Sequence, residues 1–119
     1  MIGLMKKHED IKLFDGGYYK KDYMFVEDIC RAIKFLIKKS ETNQIYNVAT
    51  GSSMTFTDIL LTAADMVSSR SEFISAPFPK EQEYLQVKNM TLNVDKLSSM
   101  GFLPKMSFEE GLDQMCSIY

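Results

Sequence analysis

Asp22-Tyr23-Met24-Phe25-Val26-Glu27-Asp28-Ile29-Cys30-Arg31-Ala32 (DYMFVEDICRA) is the stretch on which the fold of this 119-residue chain turns. Its first half, Tyr23 to Val26, is a short strand-like run of aromatic and branched residues without glycine or proline. Its second half opens a helix with two acids, Glu27 and Asp28, where the partial positive charge of a helix N-terminus favours them. From Val26 onward Ile29, Cys30, Ile33, Leu36 and Ile37 recur at helical spacing. That pattern predicts an amphipathic helix over Val26–Lys39 with this stripe buried. Lys34, Lys38 and Lys39 sit toward its end, matching the negative pole of the helix dipole.

Working outward toward the N-terminus, Met1–Lys7 reads as the tail of a helix. Ile11–Phe14 is a strand by its pattern, and Asp15-Gly16-Gly17 is a turn that exploits the positive φ open to glycine. Toward the C-terminus, Ser40–Asn43 is a polar break, and Gln44–Ala49 carries the strand-prone core Ile45-Tyr46-Asn47-Val48. Thr55-Phe56-Thr57-Asp58 is a capping box, with Met54 and Ile59 spaced as a hydrophobic staple. The helix it opens buries Phe56, Ile59, Leu60, Ala63, Ala64 and Val67. Glu72–Ile74 is a predicted strand, and Ala76-Pro77-Phe78-Pro79 must be extended because proline disfavours helix in the residue before it. Asp95–Met100 is a short helix stopped by Gly101. Ser107-Phe108-Glu109-Glu110 is a second capping box, followed by a helix with Phe108, Leu112, Met115 and Tyr119 on one side.

Composition narrows the function. A hydrophobic fraction of 45%, a charged fraction of 25% and a net charge of −2 describe an ordinary globular chain with no general attraction to nucleic acid or anionic lipid. No apolar run approaches the ~18 residues of a membrane span, and the expected location is cytoplasmic. Cys30 and Cys116 both fall on predicted apolar helix faces and are expected as reduced, buried thiols. One histidine, His8, leaves no Ser-His-Asp arrangement and no His-rich metal set.

Three motifs in order carry a resemblance. Lys21 through Ala32 is similar to R-D-[FY]-[IV]-x-V-x-D-[VI]-A-x-A, and Ile45 through Gly51 to [IV]-Y-N-[LVI]-G-x-G. Asp95 through Leu112 is similar to D-x-x-K-L-x-x-L-G-[FWY]-x-P followed by L-x-E-G-L. In this the chain resembles the C-terminal half of the extended short-chain dehydrogenases/reductases, the NAD-dependent epimerases and dehydratases of nucleotide-activated sugars. The resemblance implies an α/β fold: residues 1–119 as one C-terminal substrate-binding lobe of a Rossmann-type enzyme, with the nucleotide-binding half missing. Within the family, Lys12-Leu13-Phe14-Asp15-Gly16 and the Ala76-Pro77-Phe78-Pro79 segment are most similar to the ADP-glyceromanno-heptose 6-epimerases. The implied activity of an intact parent is epimerisation at a sugar carbon with NAD or NADP, in lipopolysaccharide synthesis. The alternatives are a sugar-nucleotide 4,6-dehydratase and a non-catalytic remnant. This chain alone is expected to hold no cofactor and to be inactive. The expected partners are a nucleotide sugar in the parent and further copies of the chain, with no nucleic acid and no membrane.

Carried over by position, the resemblance places Phe14, Asp15, Gly16 and Gly17 against the substrate, although a ligand-free hairpin turn explains the same residues. Lys21 stands where the family has the arginine that holds the diphosphate. It keeps the charge but lacks the planar fork, and a solvated lysine beside Lys20 remains an open alternative. Asp22 reads as a structural anchor for the turn, and Asp28 as an answer to the helix dipole. Tyr84 and Lys88 match the family's catalytic Y-x-x-x-K, a pattern loose enough to arise by chance in a chain with six tyrosines. It lies after the D-Y motif, whereas the family's pair lies well before, so no catalytic residue is assigned. Tyr84 is kept as a substrate-contact candidate. No G-x-x-G-x-x-G follows a strand, so neither a cofactor-binding residue nor a metal ligand is assigned.

Overall fold

The computed structural model describes residues 1–84 and 87–119. In chain order the elements are α1 (Ile2–Lys6), β1 (Ile11–Phe14), a 3-10 turn (Asp15–Gly17), β2 (Lys20–Lys21), α2 (Val26–Lys39), β3 (Met54–Thr55), α3 (Phe56–Met66), β4 (Phe73–Ala76), α4 (Lys80–Glu83), α5 (Asp95–Ser99) and α6 (Phe108–Ile118). β1 pairs with β4 in parallel, Ile11 opposite Phe73 through Phe14 opposite Ala76. β2 pairs with β3 antiparallel, Lys20 opposite Thr55 and Lys21 opposite Met54. The fold class is α/β, as the sequence suggested.

β1 forms as its pattern dictates: Ile11 and Leu13 are buried, while Lys12 and Phe14 emerge on the opposite side. The buried pair joins Met5, Leu60, Ala63, Leu112 and Cys116 in the larger core, which unites α1, β1, α3 and α6. Both predicted caps form in part or in full. Thr55 Oγ1 accepts from Asp58 N at 3.0 Å at the start of α3. At α6, Ser107 Oγ accepts from Glu110 N at 3.1 Å and Glu110 Oε2 accepts from Ser107 N at 2.9 Å, a complete capping box. A smaller core packs Ala32, Leu97 and Phe102 with Met24, Phe35, Leu36 and Val48.

Four expectations are corrected. α2 spans Val26–Lys39 as read, but it turns Asp28 and Ala32 inward. The stripe of Val26, Ile29, Ile33 and Ile37 points outward, with Ile37 79% exposed. Amphipathic spacing identifies an apolar face and leaves open what covers it. Gln44–Ala49 forms no strand and has no strand neighbour among the described residues, and Ile45 is 86% exposed. Tyr23–Phe25 likewise enters α2 as unpaired extended chain. Of the cysteines, Cys116 is buried and Cys30 is exposed, both free. Smaller shifts move the predicted Glu72–Ile74 strand to Phe73–Ala76 and end the Asp95 helix at Ser99.

Asp28 is 2% exposed and does more than answer the dipole. Its Oδ2 accepts from the backbone amides of Lys105 at 3.0 Å and Met106 at 2.9 Å, and its Oδ1 takes the Arg31 guanidinium. Arg31 in turn stacks over Phe102 at 5.4 Å. Burial alone pushes the carboxyl pKa up, but the Met106, Arg31 and Lys105 hydrogen bonds and the Arg31 charge outweigh it and hold the carboxyl below its ordinary value. A carboxylate whose folded pKa is depressed contributes stability in full above its unfolded pKa of ~3.9 and loses it as pH falls through the folded value. Asp28→Ala should therefore cost about 3–5 kcal/mol at pH 7, the scale for breaking a buried charged pair. The difference from wild type should shrink as the pH drops below ~4. Urea denaturation of both chains at pH 7 and pH 3 checks this, and a pH-independent difference would be the contrary result.

Candidate substrate-binding site

The site grows from the end of β1. Asp15, Gly16 and Gly17 take φ of 46°, 65° and 71° in succession, a run of left-handed backbone that L side chains rarely adopt. A Cβ on Gly16 would meet Tyr18 Cε2 at 2.4 Å, and one on Gly17 would meet Thr57 Oγ1 at 2.6 Å, so glycine is required twice. The turn is fastened from both sides. Thr57 Oγ1 donates to the Gly16 carbonyl, and the Tyr19 hydroxyl donates to Asp15 Oδ2 at 2.6 Å.

Beyond the turn, β2 carries Lys21 against β3, and Lys21 Nζ donates to the Val87 carbonyl. The Phe14 ring leans on Phe78, centroids 5.0 Å apart. A cavity of about 240 Å³ opens here, with Lys12, Phe14, Gly17, Tyr19, Lys21 and Phe78 on its wall. Of the six residues nominated from the sequence, Phe14, Gly17 and Lys21 meet at this cavity. Asp15 and Gly16 build the turn behind it. Tyr84 lies away from it, 79% exposed at the surface. The Tyr84–Lys88 pattern runs through residues 85–86, which lie outside the described residues.

Lys12, Tyr19 and Phe78 were not nominated. Lys12 was within reach of the sequence, since the alternation that buries Ile11 and Leu13 puts it beside Phe14 on the other side of β1. Phe78 belongs to the Ala76-Pro77-Phe78-Pro79 segment, which the sequence marks as extended and as part of the family resemblance without pointing to a contact residue.

A second, larger cavity of about 620 Å³ lies beyond Tyr23 and Phe56, which border both. Its wall is mostly apolar, with Met24, Met54, Met106 and Met115 prominent. Burial pushes the Tyr23 hydroxyl up from its ordinary pKa.

Asp22 fixes the floor between the motifs. Its Oδ1 accepts from Thr50 N at 2.9 Å and Thr50 Oγ1 at 2.6 Å, and its Oδ2 accepts from Gly51 N at 2.9 Å. The anchoring role read from the sequence is thus present, and the turn it anchors is the one at Thr50–Gly51. Among the described residues no group of His, Cys, Asp and Glu could hold a metal ion.

The same geometry tests for a dinucleotide cofactor. Its pyrophosphate requires a glycine-rich turn opening a helix, with bare amides at the helix start. Here the first turns of α2, α3, α5 and α6 all carry acids: Glu27 and Asp28, Asp58, Asp95, and Glu109 with Glu110. The described residues do not fit the group.

The profile of the NAD dependent epimerase/dehydratase family matches residues 1–49. The low-salt glycan biosynthesis protein Agl12 of Haloferax volcanii is 24% identical over 114 residues, covering 93% of this chain and 35% of that protein. A solved structure of UDP-glucose 4-epimerase from Thermotoga maritima with UDP-glucose matches at TM-score 0.87 and 26% identity, covering 98% of this chain and 36% of that one. The structure of dTDP-glucose 4,6-dehydratase from Bacillus anthracis in complex with NAD matches at TM-score 0.82 and 18% identity, covering 98% of this chain and 36% of that one. The chain spans about a third of the length of the curated relatives it matches. Its fold is that of one part of the extended short-chain dehydrogenases/reductases. No helix of the described residues is long and apolar enough to cross a membrane.

Removing the Asp22 carboxylate strands the Thr50 and Gly51 amides. Asp22→Ala should destabilise the chain by about 2–3 kcal/mol, the scale of charge-assisted hydrogen bonds, and Asp22→Asn by less. Guanidinium melts of the three chains measure this. A loss below about 0.5 kcal/mol in the alanine variant would assign the anchoring to other contacts.

Proposed function

We propose that these residues form the nucleotide-sugar-binding wall of an NAD(P)-dependent enzyme that acts at a carbon of a nucleotide-activated sugar. Residues 1–119 are read as its C-terminal substrate-binding part. The observation that carries this reading is the cavity at the end of β1, where aromatic rings from Phe14 and Phe78 stand beside the Lys21 ammonium. Rings offer a base or sugar face an apolar seat, and a lysine there neutralises a phosphate. The family profile over residues 1–49 and the names of the matched relatives support the same class.

The chemistry of such an enzyme is hydride transfer from a sugar carbon to the nicotinamide. In this reading both the cofactor and the acid–base residues come from sequence outside these residues. What this chain contributes is orientation: Lys21 holds the diphosphate, the glycine turn lets backbone amides approach the ligand, and Tyr23 and Phe56 wall off water. Within the class, Lys12–Gly16 and Ala76–Pro79 favour an ADP-heptose 6-epimerase. A sugar-nucleotide 4,6-dehydratase is the second reading, favoured by matches to dTDP-glucose 4,6-dehydratases of Actinoplanes and mouse.

The chain by itself should bind no NAD, since it carries no G-x-x-G-x-x-G after a strand, and should turn over no sugar nucleotide. Calorimetry with NAD at millimolar concentration should give no saturable heat. A micromolar dissociation constant would place a cofactor site in this chain and overturn the division of labour.

The outward stripe of α2 and the unpaired segment 44–49 are the faces that the rest of such an enzyme would cover. On its own the chain is expected to self-associate through them, because each large apolar side chain left in water forgoes ~1.5–3 kcal/mol of burial. Sedimentation should show a dimer or larger, and Ile33→Glu should shift it to monomer. A monomeric wild type would mean that the stripe is tolerated in water.

A further inference from the structure

We propose that Lys12 is the second cation of this anion site, acting with Lys21 to grip the diphosphate of a nucleotide ligand. The inference rests on the nucleotide-sugar reading above and deepens it. It begins with what Lys21 lacks. An ammonium is a single point charge with three rotatable donors, whereas a diphosphate spreads its charge over two phosphoryl groups. One lysine, already donating to the Val87 carbonyl, leaves much of that charge unmatched.

Lys12 is placed to supply the rest. The alternation of β1 puts Lys12 and Phe14 on one side of the strand, away from the core that takes Ile11 and Leu13. Lys12 and Lys21 both stand on the wall of the 240 Å³ cavity, and among the described residues no carboxylate lines it. The two acids nearest in sequence to its wall residues are already engaged. Asp15 receives the Tyr19 hydroxyl, and Asp22 receives Thr50 and Gly51. Among the described residues the ion pair is Arg31 with Asp28, and Lys12 makes neither an ion pair nor a hydrogen bond. Two ammonium groups on one cavity wall repel each other, and that cost is relieved when an anion enters between them. The flanking Phe14 and Phe78 rings exclude water on one side, which strengthens each charge-assisted bond made there.

The experiment uses the 119-residue chain, with binding read by protein NMR at low salt. The ligands are uridine, UDP, dTDP, GDP, ADP and inorganic pyrophosphate. Wild type should saturate with at least one nucleoside diphosphate. Lys12→Met and Lys21→Met should each weaken it about tenfold, the usual scale for one charge-assisted bond. Lys12→Arg should keep the affinity, and the weak binding of the nucleoside alone should be the same in all chains. Native-like spectra of the free variants report that the fold is intact. If wild type binds no diphosphate, the nucleotide-sugar reading fails and this inference falls with it. If wild type binds and Lys21→Met weakens it while Lys12→Met does not, the inference about Lys12 alone is overturned.

Discussion

Two carboxylates six residues apart hold three remote parts of this chain in register. Asp22 collects the amides of Thr50 and Gly51, and Asp28 collects those of Lys105 and Met106, 77 and 78 residues further along. Loop amides without secondary-structure partners must find acceptors or remain unpaired at a cost comparable to a lost hydrogen bond. A carboxylate offers two oxygens and a full charge, and so can satisfy two neighbouring amides at once. The arrangement also stabilises the acid. Asp28 is almost fully buried, and it stays ionised because two amides and a guanidinium replace the water it has lost.

This constraint explains why the chain's recognisable stretches depend on one another. The Asp22 end of DYMFVEDICRA fixes the turn at Thr50–Gly51, whose glycine takes φ 76° with Val94 close by. The Asp28 end fixes the loop that leads into the Ser107 capping box and hence into α6, whose Leu112 and Cys116 complete the main core. Between them, Met24, Phe35 and Leu36 close the smaller core over Ala32 and Phe102. An altered aspartate would therefore be felt at α6 and at the 50–51 turn before it was felt in α2 itself.

How much of this was legible follows from how local each signal is. Helix limits for α2, the caps at Thr55 and Ser107, and the alternation of β1 are decided within a few residues, and they were readable. Phe14, Gly17 and Lys21 were named through the family resemblance alone, since β1 pairs with the remote β4 and β2 with the remote β3, pairings that no local pattern announces. What the sequence could not supply was anything set by a distant partner. The outward face of α2 has the same spacing as a buried one. Ile45-Tyr46-Asn47-Val48 has the composition of a strand, but a strand exists only where another edge offers hydrogen bonds. Asp28 carries a dipole explanation that is sufficient locally, and its real partners lie in a loop that no spacing rule connects to it. Lys12 was hidden for the opposite reason: an exposed lysine on an alternating strand is so ordinary that it attracts no question.

The distribution of charge then decides where an anion can sit on this lobe. Helix starts are the usual phosphate seats, since their free amides and dipole favour negative charge. In this chain the first turns of α2, α3, α5 and α6 are already filled by their own acids. Those acids sit in the positive field of the helix starts and repel an incoming phosphate. The β1 cavity is built the other way, with Lys12 and Lys21 on its wall and the adjacent Asp15 and Asp22 consumed by internal donors. The same carboxylates that order the backbone are thereby held by internal donors and, among the described residues, pair with neither lysine. Asp22 ties folding to the site in particular: losing its bonds to Thr50 and Gly51 would loosen that turn and leave the carboxylate free to turn toward Lys21, its neighbour in sequence, and compete with a phosphate for the ammonium.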